Sequence, residues 1–424
     1  LIPSNAPRPV SVSAAEIAAA RGRIAGGVAV TPCPESIQLS ELCGARIYCK
    51  LEYLQRTGSF KERGARNALL LLDDDARRRG VVAGSAGNHA LGLAYHGQLL
   101  GIGVTVVMPR FAPLIKVSTC RRLGANVILH GATYPEATRF AHELADRDGL
   151  NYIHGFNDPA IIAGQGTLGL EILHQAPDAE AIVVPIGGAG LIAGIATAVK
   201  SIRPELRIFG VEAEEVPTFT AALAAGRPVD CPRQPTLADG LAVGRVGDLP
   251  FEMARPLVER VVTLSEEQIS LAILRLAELE KSVVEGAGAA ALAACMSGRL
   301  PELTGNRVVL VLTGGNIDLA VLGRVIEHGL VADGRLCRFT ATISDRPGGL
   351  ARLAQRIAAA GASVKEITHD RAFCGPDVTA VDVVCTVETA DRAHIAELYR
   401  QLREEGIAVC GESTGGRSQA EDND

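Results

Sequence analysis

The segment Gly58-Ser59-Phe60-Lys61-Glu62-Arg63-Gly64 sets a lysine beside an aromatic ring and between two glycines. Lysine is scarce in this chain, six of the 42 Lys+Arg residues, so one in a turn of small and apolar residues is not simply another solvated charge. An amine kept neutral there is a nucleophile, and a flat ring can lie against Phe60. Three later turns carry matching chemistry. In Ser85-Ala86-Gly87-Asn88-His89 the N–H groups of an opening helix can hold a carboxylate, and Asn88 can donate to a phenolic oxygen. In Pro185-Ile186-Gly187-Gly188-Ala189-Gly190-Leu191 several N–H groups can converge on a phosphate dianion, helped by the helix dipole. In Thr313-Gly314-Gly315-Asn316 the Thr313 hydroxyl can meet a ring nitrogen. Alone, the glycine-rich turn is as often a plain strand-to-helix connection, and the Thr313 turn more often one. Together the four read as a site for pyridoxal phosphate anchored on Lys61.

Strands and helices must position these turns. From about residue 45 to 328, short β-branched runs alternate with longer helical ones, the rhythm of strand–helix units around parallel sheets. Strands are predicted at 47–51, 81–83, 104–108, 126–129, 181–185, 207–211, 261–264 and 308–312. Helices are predicted at 133–146 and 265–280, the latter opening on a Ser265/Gln268 capping box. After Ile326 the composition changes, and 329–335 (GLVADGR) reads as a linker. A strand at 337–343 then leads through a turn into a helix with Leu350, Leu353 and Ile357 on one face. Two strands flank Cys374-Gly375-Pro376-Asp377, the second turning Val381, Val383, Cys385 and Val387 inward. A helix carrying Ile395, Leu398, Tyr399 and Leu402, then a strand at 407–410, complete a βαββαβ unit. Residues 412–424 hold no Val, Leu or Ile and read as a disordered tail.

Over roughly residues 30–328 the chain resembles the fold-type II pyridoxal-phosphate-dependent enzymes, and among them the threonine dehydratase (threonine ammonia-lyase) branch. Gly164-Gln165-Gly166-Thr167 and Val284-Glu285-Gly286-Ala287-Gly288 extend the likeness beyond the four turns. Residues 336–411 are similar to an ACT domain, whose effector turn resembles Asp345, Arg346, Pro347 and Gly348. The resemblance implies an α/β fold with a catalytic core of 1–328 in two parallel-sheet-based domains, a large one of about 1–75 and 157–328 and a small one of about 80–156. A linker at 329–335 and an ACT-like βαββαβ domain at 336–411 follow. It implies that Lys61 forms the Schiff base and shuttles protons, Phe60 flanks the ring, and Asn88 contacts the phenolic oxygen. Gly187, Gly188, Ala189, Gly190 and Leu191 would cradle the phosphate, Thr313 would face the ring nitrogen, and Ser85, Ala86, Gly87, Asn88 and His89 would grip the substrate carboxylate. The implied reaction turns L-threonine into 2-oxobutanoate and ammonia, with L-serine also accepted. Serine or 3-hydroxyaspartate dehydration, or racemisation, is the alternative within the family. The implied partners are an amino-acid substrate, an isoleucine or valine effector, and further copies of the chain in a dimer or tetramer.

Departures from the family pattern narrow this reading. Ala189 interrupts a turn that is commonly four glycines, and a positive φ there would strain it. Serine racemases carry a serine where Ala86 stands, so its methyl group favours one-base elimination. Cysteine synthase-like relatives carry a threonine in the phosphate turn and an Asn-Thr-Gly turn, both absent here. Racemase-like enzymes hold a divalent ion with Glu-x-x-x-x-x-Asp, but Thr218 follows Glu212 at that spacing, so Glu212, Glu214 and Glu215 read as a solvated strand end without metal. His89 reads as a helix-start histidine satisfied by its own hydrogen bonds rather than a proton carrier.

The bulk numbers set outer limits. A chain of 424 residues, 47% hydrophobic, can bury more than one core. A net charge of −6 without a Lys/Arg run argues against nucleic acid, and no apolar run approaches the ~20 residues of a membrane span. Ten cysteines with no Cys-x-x-Cys pair suggest neither a zinc ribbon nor a redox dithiol, but reduced thiols in a cytoplasmic protein. The opening segment lacks the build of a secretory signal, and a first residue of Leu rather than Met suggests a missing start. A catalytically silent amino-acid sensor is the competing class, and the intact Lys61 argues against it.

Overall fold

The computed structural model describes residues 11–370 and 379–411, so the expected turn at 374–377 and tail at 412–424 lie outside the described residues. The chain divides into two compact units, Leu1–Leu319 and Ala320–Asp424. In the first, the strands are β1 (Glu35–Ser36), β2 (Arg46–Leu51), β3 (Val81–Gly84), β4 (Val104–Met108) and β5 (Asn126–Leu129). They continue as β6 (Asn151–Tyr152), β7 (Ala181–Pro185), β8 (Arg207–Ala213), β9 (Arg260–Leu264) and β10 (Arg307–Leu312). One sheet has the order β1-β2-β10-β7-β8-β9 and is parallel except at its antiparallel β1 edge. The other, β5-β4-β3-β6, is parallel throughout. Strand β7 is buried along its whole length and β10 along all but its first residue, as suits central parallel strands covered on both faces.

Each predicted strand of this unit is present, and the two-residue β1 and β6 are additions too short to leave a pattern. The Ser265/Gln268 capping box opens the helix Glu266–Leu279 as expected. The glycines of Gly164-Gln165-Gly166-Thr167 are explained by packing. A Cβ on Gly166 would stand 2.8 Å from the carbonyl of Gly194, and one on Gly164 2.6 Å from that of Arg63. Helix Pro159–Gln175 thus lies directly against both Gly190–Lys200 and Lys61–Leu70. Ala65, Ala68 and Leu69 of the lysine helix are buried in the core of the smaller sheet, although their sequence falls in the stretch expected to belong to the large domain.

The second unit follows the helix Leu319–Ala332 with β11 (Leu336–Ser344), helix Gly349–Ala359, β12 (Ser363–Asp370), β13 (Ala380–Glu388), helix Arg392–Glu404 and β14 (Ala408–Gly411). This is the expected βαββαβ order, in an antiparallel sheet β12-β13-β11-β14. Val381, Val383, Cys385 and Val387 face Leu353, Ile357, Leu398 and Leu402 in one core, whereas Leu350 stays 38% exposed. The linker expected at 329–335 is mostly helix. Gly329 is buried within it, and the stop comes at Gly334, whose φ is 75° and whose N–H reaches the carbonyl of Val331.

Candidate active site

A cleft of about 1250 Å³ in the first unit is lined by Phe60, Lys61, Ser85, Ala86, Gly87, Asn88, His89, Gly187, Gly188, Ala189, Gly190, Leu191 and Thr313. Every residue expected at the cofactor and substrate positions is therefore in one place. Backbone hydrogen bonds join the lysine turn to the Thr313 turn: Phe60 N–H donates to the Thr313 carbonyl at 3.0 Å, and Gly315 N–H to that of Gly58 at 2.9 Å. Behind them lies a buried ionic cluster. Arg63 grips Glu52 at 2.7 Å and Glu171 at 2.6 Å, while Lys50 reaches Glu171 at 2.6 Å. Removing one member would strand a buried charge, at a cost of ~3–5 kcal/mol, so the cluster fixes the helix two residues beyond Lys61.

Lys61 Nζ lies 5.2 Å from the Phe60 ring centroid and donates to the Gly155 carbonyl at 2.8 Å. Burial pulls its pKa down to about 8, against a smaller opposing pull from Glu285. The helix Asn88–Leu100 starts at Gly87 and Gly190–Lys200 at Ala189, and neither start has a side-chain cap. The residues at both starts line the cleft, which leaves uncapped N–H groups at its wall. Gly188 has to be glycine, because a Cβ there would stand 2.2 Å from the Phe156 ring. Ala189 adopts φ 69°, ψ −2°, so the positive φ considered for this turn is present, on a residue that carries a methyl group.

Asn88 donates to Glu285 Oε1 at 2.7 Å and accepts from Asn316 Nδ2 at 2.8 Å. Asn316 Nδ2 also donates to the Thr57 carbonyl at 2.7 Å, which fixes the Asn88 amide with one N–H left over. His89 Nε2 meets the Ile153 carbonyl at 3.1 Å while its buried Nδ1 has no hydrogen-bond partner among the described residues, so the expected full satisfaction is only half met, and burial lowers its pKa to about 3. His154 accepts two backbone N–H groups at Nδ1, so in its neutral form Nε2 carries the proton.

Glu212 corrects the expected solvated strand end. It is fully buried, accepting from Phe219 N–H, Thr220 N–H and the Thr220 hydroxyl at 2.6–2.9 Å, and burial raises its pKa. Glu214 and Glu215 are exposed, and no group of metal ligands forms among the described residues. Glu285, Phe156, Gly155 and His154 line the cleft without having been singled out as site residues. Only Glu285 had a sequence signal, an acid opening a glycine-rich helix. The Asp345–Gly348 turn belongs to the second unit, where Asp345 N–H meets the Thr379 carbonyl at 3.0 Å and Gly348 has φ 94°. No described helix is long and apolar enough to cross a membrane.

Residues 24–314 match the family described as pyridoxal-phosphate dependent enzyme. The chain is 45% identical to the L-threonine ammonia-lyase of Thermotoga maritima over 371 residues, 88% of this chain and 92% of that protein. Among solved structures it resembles maize serine racemase, with 34% identity and a TM-score of 0.72 over 76% of this chain and 99% of that one. It also resembles the processed form of threonine deaminase isoform 2 from Solanum lycopersicum, with 36% identity and a TM-score of 0.70 over 77% and 99%. The chain belongs to the pyridoxal-phosphate-dependent enzymes and has their fold-type II architecture. Its residues suit that cofactor: a buried amine of lowered pKa, an uncapped helix start behind a glycine-rich turn, and the Thr313 hydroxyl share one cleft.

Proposed function

We propose that the chain is a threonine ammonia-lyase that eliminates the β-hydroxyl of L-threonine, and also accepts L-serine, releasing the 2-oxo acid and ammonia. The observation that carries this reading is one cleft in which a buried lysine of lowered pKa lies with two uncapped helix starts. The relative of that activity covers nearly the whole chain at 45% identity.

When bound through Lys61, the cofactor supplies an electron sink that acidifies the Cα–H of an amino acid. N–H groups at the start of Asn88–Leu100 hold the substrate carboxylate and orient that bond. Gly187 to Leu191, at the start of the helix Gly190–Lys200, would hold the phosphate. Lys61, free while the substrate is held, takes the Cα proton, and its lowered pKa keeps much of the amine unprotonated near neutral pH. Thr313 would present a hydroxyl, not a carboxylate, to the ring nitrogen and so would not keep it protonated, which would favour loss of the β-hydroxyl over transamination-type chemistry. The proton on Lys61 goes to the departing hydroxyl, which leaves as water. The released enamine hydrolyses to 2-oxobutanoate and ammonia. Ala86 offers no second-face hydroxyl, which separates this reading from racemisation.

The second unit is assigned as an ACT-like effector domain that binds isoleucine or valine at the Asp345–Gly348 turn, in a cytoplasmic homo-oligomer. Its βαββαβ order supports this, as does a sheet whose helices cover one face while Arg338 and Thr342 on the other stay exposed. The test is 2-oxo acid production from threonine, serine and 3-hydroxyaspartate, with and without isoleucine and valine. Threonine should be the best substrate, and Lys61→Ala should lose several orders of magnitude in rate while keeping its fold. A variant that retains more than a few per cent of turnover would move the covalent site elsewhere.

A further inference from the structure

Three acidic side chains line the cleft, and two of them, Asp230 and Asp239, are exposed. Glu285 is 4% exposed. Several other buried acids of this unit are given a cationic or cation-capable partner: Arg63 serves Glu52 and Glu171, Lys50 also serves Glu171, and His96 lies 3.3 Å from Glu62. Glu285 has none within ion-pair distance among the described residues. It is held by the Asn88 amide at 2.7 Å and the backbone N–H of Asn316, both neutral. Lys61 gives its own hydrogen bond to the Gly155 carbonyl instead. Yet the carboxylate is close to the lysine turn. A Cβ built on Gly314, which bridges to Ser59, would stand 2.4 Å from Glu285 Oε1 and 3.2 Å from Ser59 Cβ.

Glu212 is likewise buried with neutral donors only, but it is not among the residues that line the cleft, whereas Glu285 is. A positive charge on a lysine-bound cofactor there would offset the cost of burying the Glu285 carboxylate. We propose that Glu285 is a positioning residue that serves as the countercharge for the lysine-bound cofactor. Its carboxylate, clamped by Asn88, keeps the imine nitrogen at Lys61 protonated. The inference rests on the reading of Lys61 as the cofactor lysine. Burial raises the carboxyl to about 7, with Asp239 pushing the same way and Asn88 and Lys116 opposing, so an arriving cation acts on a group already poised to ionise. The groups that face it are Lys61, Asn88, the Asn316 N–H, Asp239 and Lys116.

The test uses holoenzyme without substrate and follows the yellow absorbance of the lysine-bound cofactor as pH is raised. Glu285→Gln keeps an acceptor oxygen for Asn88 and removes the charge, and its midpoint should fall by about 1 unit or more. Glu285→Asp keeps the charge and should stay close to the parent. Because Glu285→Gln deletes an unpaired buried charge, the apo protein should melt no lower than the parent. An unchanged midpoint in Glu285→Gln, equal falls in both variants, or a clearly less stable apo Glu285→Gln would each overturn the proposal. A parent protein with no yellow absorbance would instead defeat the assignment of Lys61.

Discussion

At the scale of single residues, Lys61 is where burial and charge pull in opposite directions, and this has a thermodynamic signature. The unfolded chain keeps its lysine proton to about 10.5 and the folded apo chain loses it near 8, so between those values unfolding takes up a proton. Stability from this group is therefore present above the unfolded pKa and lost as pH falls through 8. Compared with Lys61→Met in denaturant titrations, the parent apo protein should gain about 2–3 kcal/mol between pH 7.5 and pH 10. A pH-independent difference would mean that the amine is not desolvated. Ala86 carries a second expectation: Ala86→Ser should raise racemisation of serine relative to dehydration, and equal D-serine output from both proteins in a chiral assay would show that another group accepts the proton. The Lys61, Asn88 and Thr313 turns drew notice in the sequence only as a set, and the structure brings all three to one cleft. The burial of Glu212 was not legible, because three acids near a strand end look alike until one of them is seen turned inward onto a helix start.

Among the elements, the buried strands were readable because β7 and β10 are unbroken β-branched and apolar runs that leave no competing pattern. Helix ends were harder. The helix through Ala332 runs past Gly329 because burial and packing outweigh a penalty of ~1 kcal/mol for one glycine. Close helix contacts are invisible along the chain, so the glycines of the 164–166 segment entered only as part of the family likeness, and the structure shows that they serve helix packing. The phosphate turn shows the opposite case, a local strain that the sequence did flag. Ala189 holds a left-handed conformation that costs an L-residue ~1–2 kcal/mol, partly offset because glycine loses more freedom on folding. Ala189→Gly should stabilise the protein by about 0.5–1 kcal/mol and leave cofactor affinity equal or tighter. A lower melting temperature would show that the methyl group makes packing contacts worth more than the strain.

For the whole molecule, the division at Leu319 separates a unit that holds every cleft residue from one that holds the Asp345–Gly348 turn. Truncation after Leu319 should preserve 2-oxo acid production and abolish the response to isoleucine, a coupling of ~1–3 kcal/mol where such effectors act. Inhibition with unchanged potency would put the effector site in the first unit. The buried cluster of Lys50, Glu52, Arg63 and Glu171 bears on how this molecule can change over generations. Its members come from three parts of the chain, Lys50 and Glu52 at the end of β2, Arg63 on the lysine helix and Glu171 on Pro159–Gln175, yet none can be exchanged singly without leaving an unmatched charge beside the lysine helix. Positions 50, 52, 63 and 171 should therefore be inherited as a block, changing together or not at all, while the uncharged neighbours around them are free to drift.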